Sequence, residues 1–226
     1  MNLAARTFVS TLTLLAITAA APLAVAQQAT AEAKTATTLS LASIFSDHMV
    51  LQRDIKLPIW GHATPGAKLQ VQLAGATKEA TASADGKWTV SFGPLKAGGG
   101  PLELSVKSGD ETVHMTDVLV GDVWVASGQS NMEWPMKATN DAESEIAAAD
   151  WPEIRFVDVP NEVSATPVDS FKSAGWQPCK PENIGDFSAV AYFFARDLHK
   201  ELNVPIGLIG CNWGGTQMEA WTSREA

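Results

Sequence analysis

At Val118 the hydrophobic pattern of this chain changes period, and that change limits what it can fold into. Before it, short runs alternate apolar and polar residues: Leu69-Gln70-Val71-Gln72-Leu73, Trp88-Thr89-Val90-Ser91-Phe92 and Leu102-Glu103-Leu104-Ser105-Val106. Successive side chains of a strand point to opposite faces, so the alternation predicts half-buried antiparallel strands. Leu57-Pro58-Ile59-Trp60-Gly61 and Thr112 to Met115 add two more, with turns at Asp85-Gly86 and Gly98-Gly99-Gly100-Pro101. Strands at this spacing predict a small antiparallel β-sandwich over residues 39–117. After the change, Val118-Leu119-Val120 and Val123-Trp124-Val125-Ala126 are nearly continuous apolar runs. Such runs mark a strand covered on both faces, as in a parallel sheet.

Ile154 to Val157 reads as a second such strand and Ile206-Gly207-Leu208-Ile209 as a third. Between them Phe187, Val190, Phe194, Leu198 and Leu202 recur at steps of three or four, an apolar helical stripe. Asp186 or Ser188 can cap its start and Pro205 follows its end. Strand, helix, strand predicts a crossover unit. The expected fold is α/β with an N-terminal all-β domain: a sandwich over 39–117, then the first part of a parallel-sheet α/β/α domain over 118–226.

The N-terminus is read as a targeting segment. Arg6 precedes an apolar stretch from Phe8 to Ala21, and Ala24-Val25-Ala26 has the small-x-small form of a signal-peptidase site. The expectation is a signal peptide over 1–26, a flexible Ala/Thr/Gln leader over 27–38, and a periplasmic or secreted protein with no membrane contact after cleavage. Cleavage removes one Arg and no acid, taking the formal charge from -9 to -10. An acidic chain without a basic stripe is a poor partner for nucleic acid. Cys179 and Cys211 can pair in an oxidising compartment or stay as two buried thiols. Neither lies in a CxxC or CxxH spacing, so no metal site is expected.

Two segments stand where an α/β sheet puts its chemistry, just past the carboxyl ends of buried strands. The first is Ser127-Gly128-Gln129-Ser130-Asn131-Met132; the second is Cys211-Asn212-Trp213-Gly214-Gly215-Thr216. A serine in a tight glycine turn can act as a nucleophile once a base takes its proton. Backbone amides at Ser130 and at Gly214 or Gly215, with side-chain donors at Gln129 and Asn131, could hold an oxyanion.

Several blocks, in order, resemble the sialate O-acetylesterase family within the SGNH-type carbohydrate esterases. They are Ser46 to Arg53, Val120 to Met132, Phe187 to Phe194, Pro205 to Ile209, and Trp213 to Thr216 with Glu219-Ala220-Trp221. The resemblance implies that Ser130 is the nucleophile, that the glycine block lines the oxyanion hole, and that an SGNH-like layer fold carries both. It implies removal of O-acetyl groups from a sugar through an acyl-enzyme, with no metal or organic cofactor. Sialate, acetylxylan or another acetylated glycan could be the substrate, and oligomeric state is open.

The family pattern also implies a histidine and an acidic partner downstream of the glycine block. This chain ends at Ala226, so the expectation is a fragment lacking its base. His48, His62, His114 and His199 read as surface or turn residues, and His199 is the least implausible substitute. A non-enzymatic glycan-binding module is the alternative, since the chain has 8 Trp. Trp60, Trp88 and Trp124 are expected in the core, and Trp134 and Trp213 beside the cleft. Asp141, Glu143 and Glu145 read as a solvated helix start, and Glu219 as fixing the glycine loop. Asp47 and Arg53 read as an inter-domain contact.

Overall fold

The computed structural model describes residues 39–222; the expected signal peptide and leader lie outside them. The strands are β1 (Ser40–Leu41), β2 (Val50–Gln52), β3 (Leu57–His62), β4 (Lys68–Leu73), β5 (Ala76–Thr81) and β6 (Lys87–Phe92). Then come β7 (Leu102–Ser108), β8 (Glu111–Gly128), β9 (Trp151–Asp158), β10 (Gln177–Cys179) and β11 (Ile206–Asn212). Three helices, α1 (Ser130–Glu133), α2 (Ala142–Ala147) and α3 (Ala189–Leu202), complete the regular structure with short 3-10 turns.

β1, β3 and β6 form an antiparallel three-stranded sheet. A larger sheet runs β10-β9-β11-β8-β7-β4-β5. Its β8-β7-β4-β5 wing is antiparallel, whereas β9, β11 and β8 are parallel. The alternation seen in the sequence is the burial pattern: Leu69, Val71 and Leu73 of β4 and Trp88, Val90 and Phe92 of β6 share one core.

The period change at Val118 falls inside β8. That strand runs for 18 residues from antiparallel pairing with β7 to parallel pairing with β11. Residues 39–222 all fall in one compact unit. The change marks a switch of partner along one strand, with no linker at 117/118.

Hydrogen-bond parity defines the edges of β8. Asp122 donates to the carbonyl of Pro205, on the β11 side. Leu119 donates to Met49, and Gly121 accepts from Arg53, on the β2 side. Residues of one parity bond one neighbour, so β2 and β11 flank β8 on opposite edges. The Gln52 side chain accepts from Val123 and extends the β2 edge by one bond. Beyond it no described strand pairs with that edge.

Three expectations need correction here. Val123 to Ala126 is not covered on both faces: Trp124 is 45% exposed and Val125 65%. The run lies where β8 has a neighbour on one edge only. In α3 the buried face is Ala189, Ala191, Tyr192 and Ala195, while Val190, Phe194 and Leu202 are exposed. Small residues let the helix lie close on the sheet; Phe194 turns outward and meets Trp124 edge-on, ring centroids 5.1 Å apart. Phe187 lies before the helix, fully buried against Phe156. Ser188 is the cap, accepting from Ala191. Of the three tryptophans expected in the core only Trp88 is buried; Trp60 and Trp124 reach solvent.

Candidate active site

β8 ends at Gly128, and Ser130 opens α1 directly beyond it. Gly128 has φ +149°, a conformation L side chains rarely adopt, so the turn depends on glycine there. Gln129 is the N-cap, and its carbonyl accepts from Met132 and Glu133. Ser130 is the first helical residue, so its N–H has no intrahelical acceptor. Gln129, Ser130 and Asn131 are all exposed.

β11 runs alongside in register, Cys211 opposite Ser127 and Asn212 opposite Gly128. Trp213 donates to the carbonyl of Gly128, which draws the glycine block across the Ser130 turn. The two segments picked from the sequence therefore meet. Ser130, Glu133, Trp134, Lys137, Asp186, Gly214 and Gly215 line one open cavity of about 510 Å³. A second hollow of about 450 Å³ lies on the other side of Ser130, against Gln129, Asn131 and Val190.

The two glycines differ. The Gly214 N–H donates to Glu133 Oε2 at 2.6 Å. A Cβ on Gly214 would meet the Glu133 carboxylate and push it aside, while standing in ordinary contact, 3.6 Å, with Ser130 Cα. Gly215 has φ +76°, is exposed, and has no hydrogen bond to a described residue. Of the two glycine amides, its N–H is the one without a described hydrogen-bond partner. Glu133 was not singled out from the sequence. Its signal is spacing: residues three apart on a helix lie on one face, so it follows Ser130 around α1. Asn161 donates to its other oxygen at 3.4 Å.

The backbone after α1 is held firmly. Trp134 accepts from Ala189 at 2.8 Å, and Met136 donates to Phe187 at 3.0 Å. Met136 is fully buried. Lys137 pairs with Asp186 at the cavity wall.

None of the histidines reaches Ser130. His48 binds Asp117 at 2.7 Å, in the middle of β8. At about 3.3 Å per residue, that is about 35 Å along the strand from Gly128. His199 Nδ1 donates to the Val204 carbonyl, just before β11 begins, so it sits at the opposite edge of the parallel strands. His114 pairs with Glu103 on the antiparallel wing, and His62 lies in β3.

The thiols are poor nucleophiles. Cys179 and Cys211 are both free. Burial pushes the Cys179 thiol up to about 12 and raises Cys211 as well. Neither is a thiolate at neutral pH. Burial also pushes the Asp158 carboxyl, at the end of β9, up to about 6. Its register partner is Gly210, where an added Cβ would lie 3.2 Å from Phe187. Asp47 and Arg53 are structural. Asp47 accepts from the Thr116 amide and hydroxyl, and Arg53 grips Asp122 through two nitrogens. Both tie the early segment to β8. Among the described residues no cluster of His, Cys, Asp or Glu could hold a metal ion.

Residues 120–226 match the family model described as carbohydrate esterase, sialic acid-specific acetylesterase. The chain is 35% identical over 201 residues to the sialate O-acetylesterases of Pongo abelii and Homo sapiens. These alignments cover 80% of this chain and 38% of each relative. It is also similar to the crystal structure of a carbohydrate acetylesterase from Xanthomonas citri, with TM-score 0.80 and 39% identity. That match covers 82% of this chain and 43% of the other. The chain spans about two fifths of the length of these relatives. The comparisons therefore identify residues 120–226 as similar to the sialic acid-specific acetylesterases among the carbohydrate esterases.

Proposed function

We propose that this chain supplies the nucleophile and the glycine block of an exported, sialate O-acetylesterase-like carbohydrate esterase with an SGNH-like α/β/α layer appended to an all-β part. The observation that carries the reading is the meeting of Ser130 with Gly214 and Gly215 through the Glu133 carboxylate.

Ser130 Oγ attacks the acetyl carbonyl of an O-acetylated sugar while a base takes its proton. The oxyanion forms against the N–H groups of Ser130 and Gly215, with Gln129 and Asn131 able to add side-chain donors. Collapse expels the sugar hydroxyl, protonated by the same base, and leaves an acetyl-serine that water hydrolyses. The base comes from outside the described residues in this reading. The partner is an acetylated glycan; a formal charge of -9 argues against nucleic acid.

Acetate release from O-acetylated sugars, compared between the wild-type protein and Ser130→Ala, tests the reading. The substitution should lower turnover by about 10³-fold or more. Equal turnover in the two proteins removes Ser130 as nucleophile.

A further inference from the structure

A second cleft lies on the three-stranded sheet. Trp60 pairs with Thr89 and His62 with Lys87 across β3 and β6, so these four side chains share one face of that sheet. Their neighbours Ile59, Trp88 and Val90 are buried in the core on the other face. The segment between β9 and β10 folds back onto the outer face. Asp169 pairs with Lys87 at 2.7 Å, and the Phe171 amide donates to Ser43. Sheet and segment enclose a cleft of about 580 Å³, within the usual range of small-molecule sites. Trp60, His62, Thr81, Lys87, Thr89 and Asp169 line it, and it shares no lining residue with the two cavities at Ser130.

The cleft sets an apolar plane inside a polar rim. Trp60 is 38% exposed, and Phe45 meets its ring edge-on, centroids 4.6 Å apart, which limits how the ring can turn. An exposed ring already held in place presents a flat face at little entropic cost to a ligand. Around it stand an ammonium, a carboxylate, an imidazole and two threonine hydroxyls, so the rim can both donate and accept hydrogen bonds. A sugar ring matches both parts, because it has C–H faces and a rim of hydroxyls.

One segment joins this cleft to the Ser130 cavity. Asn161 donates to Glu133, which lines that cavity, and Asp169 borders the cleft. Eight residues of chain separate Asn161 from Asp169, a span of at most about 29 Å. We propose that the cleft is a non-catalytic sugar-binding site, with Trp60 as its stacking platform, which holds one stretch of a glycan chain while acetyl groups elsewhere on that chain reach Ser130. The use made of the site rests on the esterase reading. The binding of sugar by the cleft does not, because none of its residues lines the Ser130 cavities.

Calorimetric titration with three oligosaccharides that carry no O-acetyl ester, xylohexaose, cellohexaose and sialyllactose, tests it. At least one should bind the wild-type protein and bind Ser130→Ala equally well. Trp60→Ala should weaken that probe by about tenfold or more, and Trp60→Phe should recover most of the loss by keeping a ring. Thr89→Arg fills the cleft from an exposed position of β6 and should weaken the same probe as strongly. Melting curves identify any variant that fails to fold, and Thr89→Arg carries the test if Trp60→Ala does. No binding of any of the three probes, or an affinity that neither Trp60→Ala nor Thr89→Arg changes, overturns the proposal. Binding lost in Ser130→Ala and kept in Trp60→Ala would put the sugar in the Ser130 cavity and overturn it as well. None of these readings depends on turnover, so a failed nucleophile assignment leaves them intact.

Discussion

The middle of β8 and its C-terminal end are built from the same kind of sequence and are held in opposite ways. Around Asp117 the strand is clamped by charge. Arg155, almost fully buried, donates to Asp117 at 2.7 Å and to the His48 carbonyl, and His48 binds the same carboxylate. Val118, Leu119 and Val120 are buried there between β2 and the core. Past Gln52 the β2-side edge has no described partner strand, and Trp124 and Val125 reach solvent. Ser130 stands at this C-terminal end. Position is thus provided at the middle of the strand and openness at its end: a clamped strand carries Ser130 out to an exposed edge.

The comparison breaks first at the clamp. Asp117 has φ +52°, a conformation that asparagine tolerates. Asp117→Asn keeps that tolerance and leaves the Arg155 guanidinium without its carboxylate, so unfolding should become easier by about 3 kcal/mol, read from denaturant midpoints. The Arg155 hydrogen bond, the largest influence, holds the Asp117 carboxyl below the usual carboxylate range. Its contribution is therefore present above the unfolded value near 3.8 and lost as pH falls through the lower folded value. Wild type and variant should converge in stability at strongly acid pH.

At the site end the expected damage is to rate. Glu133→Leu frees the Gly214 amide and lets the glycine block drift, so kcat should fall by about 10–100-fold with KM nearly unchanged. Glu133→Gln keeps an acceptor oxygen and should recover part of the loss. An equal fall in both variants, matched by lost stability, would make Glu133 a folding residue only.

Paired truncations sharpen the contrast in packing. Val118→Ala in the closed half should cost about 2 kcal/mol, and Val125→Ala in the open half about 0.5 kcal/mol or less. The smallest effect concerns Asp158. Its carboxyl is raised to about 6, so the ionised form is disfavoured by folding; the stability is present below about 3.8 and is lost as pH rises through 6. Asp158→Asn should raise Tm slightly at pH 7.5, and the gain should vanish by about pH 4. The residue is exposed, and solvent screening keeps the effect small.

Much of this was legible in the sequence where one physical rule dominated. Period-two alternation located β3, β4, β6 and β7 to within a few residues, because each has one face in the core. β5 was not anticipated: Ala76-Thr77-Lys78-Glu79-Ala80-Thr81 is an edge strand exposed along nearly its whole length and carries no apolar alternation. The α3 stripe was misread because large residues were taken as buried, whereas close packing on the sheet favours Ala191 and Ala195. Ser130 and the glycine block stood out through their place after strands. Glu133 did not, because its three-residue spacing from Ser130 does not reveal that its carboxylate grips a backbone amide 81 residues away.

The most direct test of the account is to map where a fluorophosphonate reacts, by peptide mass spectrometry of the labelled protein. A phosphonyl adduct is expected on Ser130, absent in Ser130→Ala and slowed in Glu133→Leu. An adduct on another residue, or equal labelling of wild type and Ser130→Ala, would contradict it.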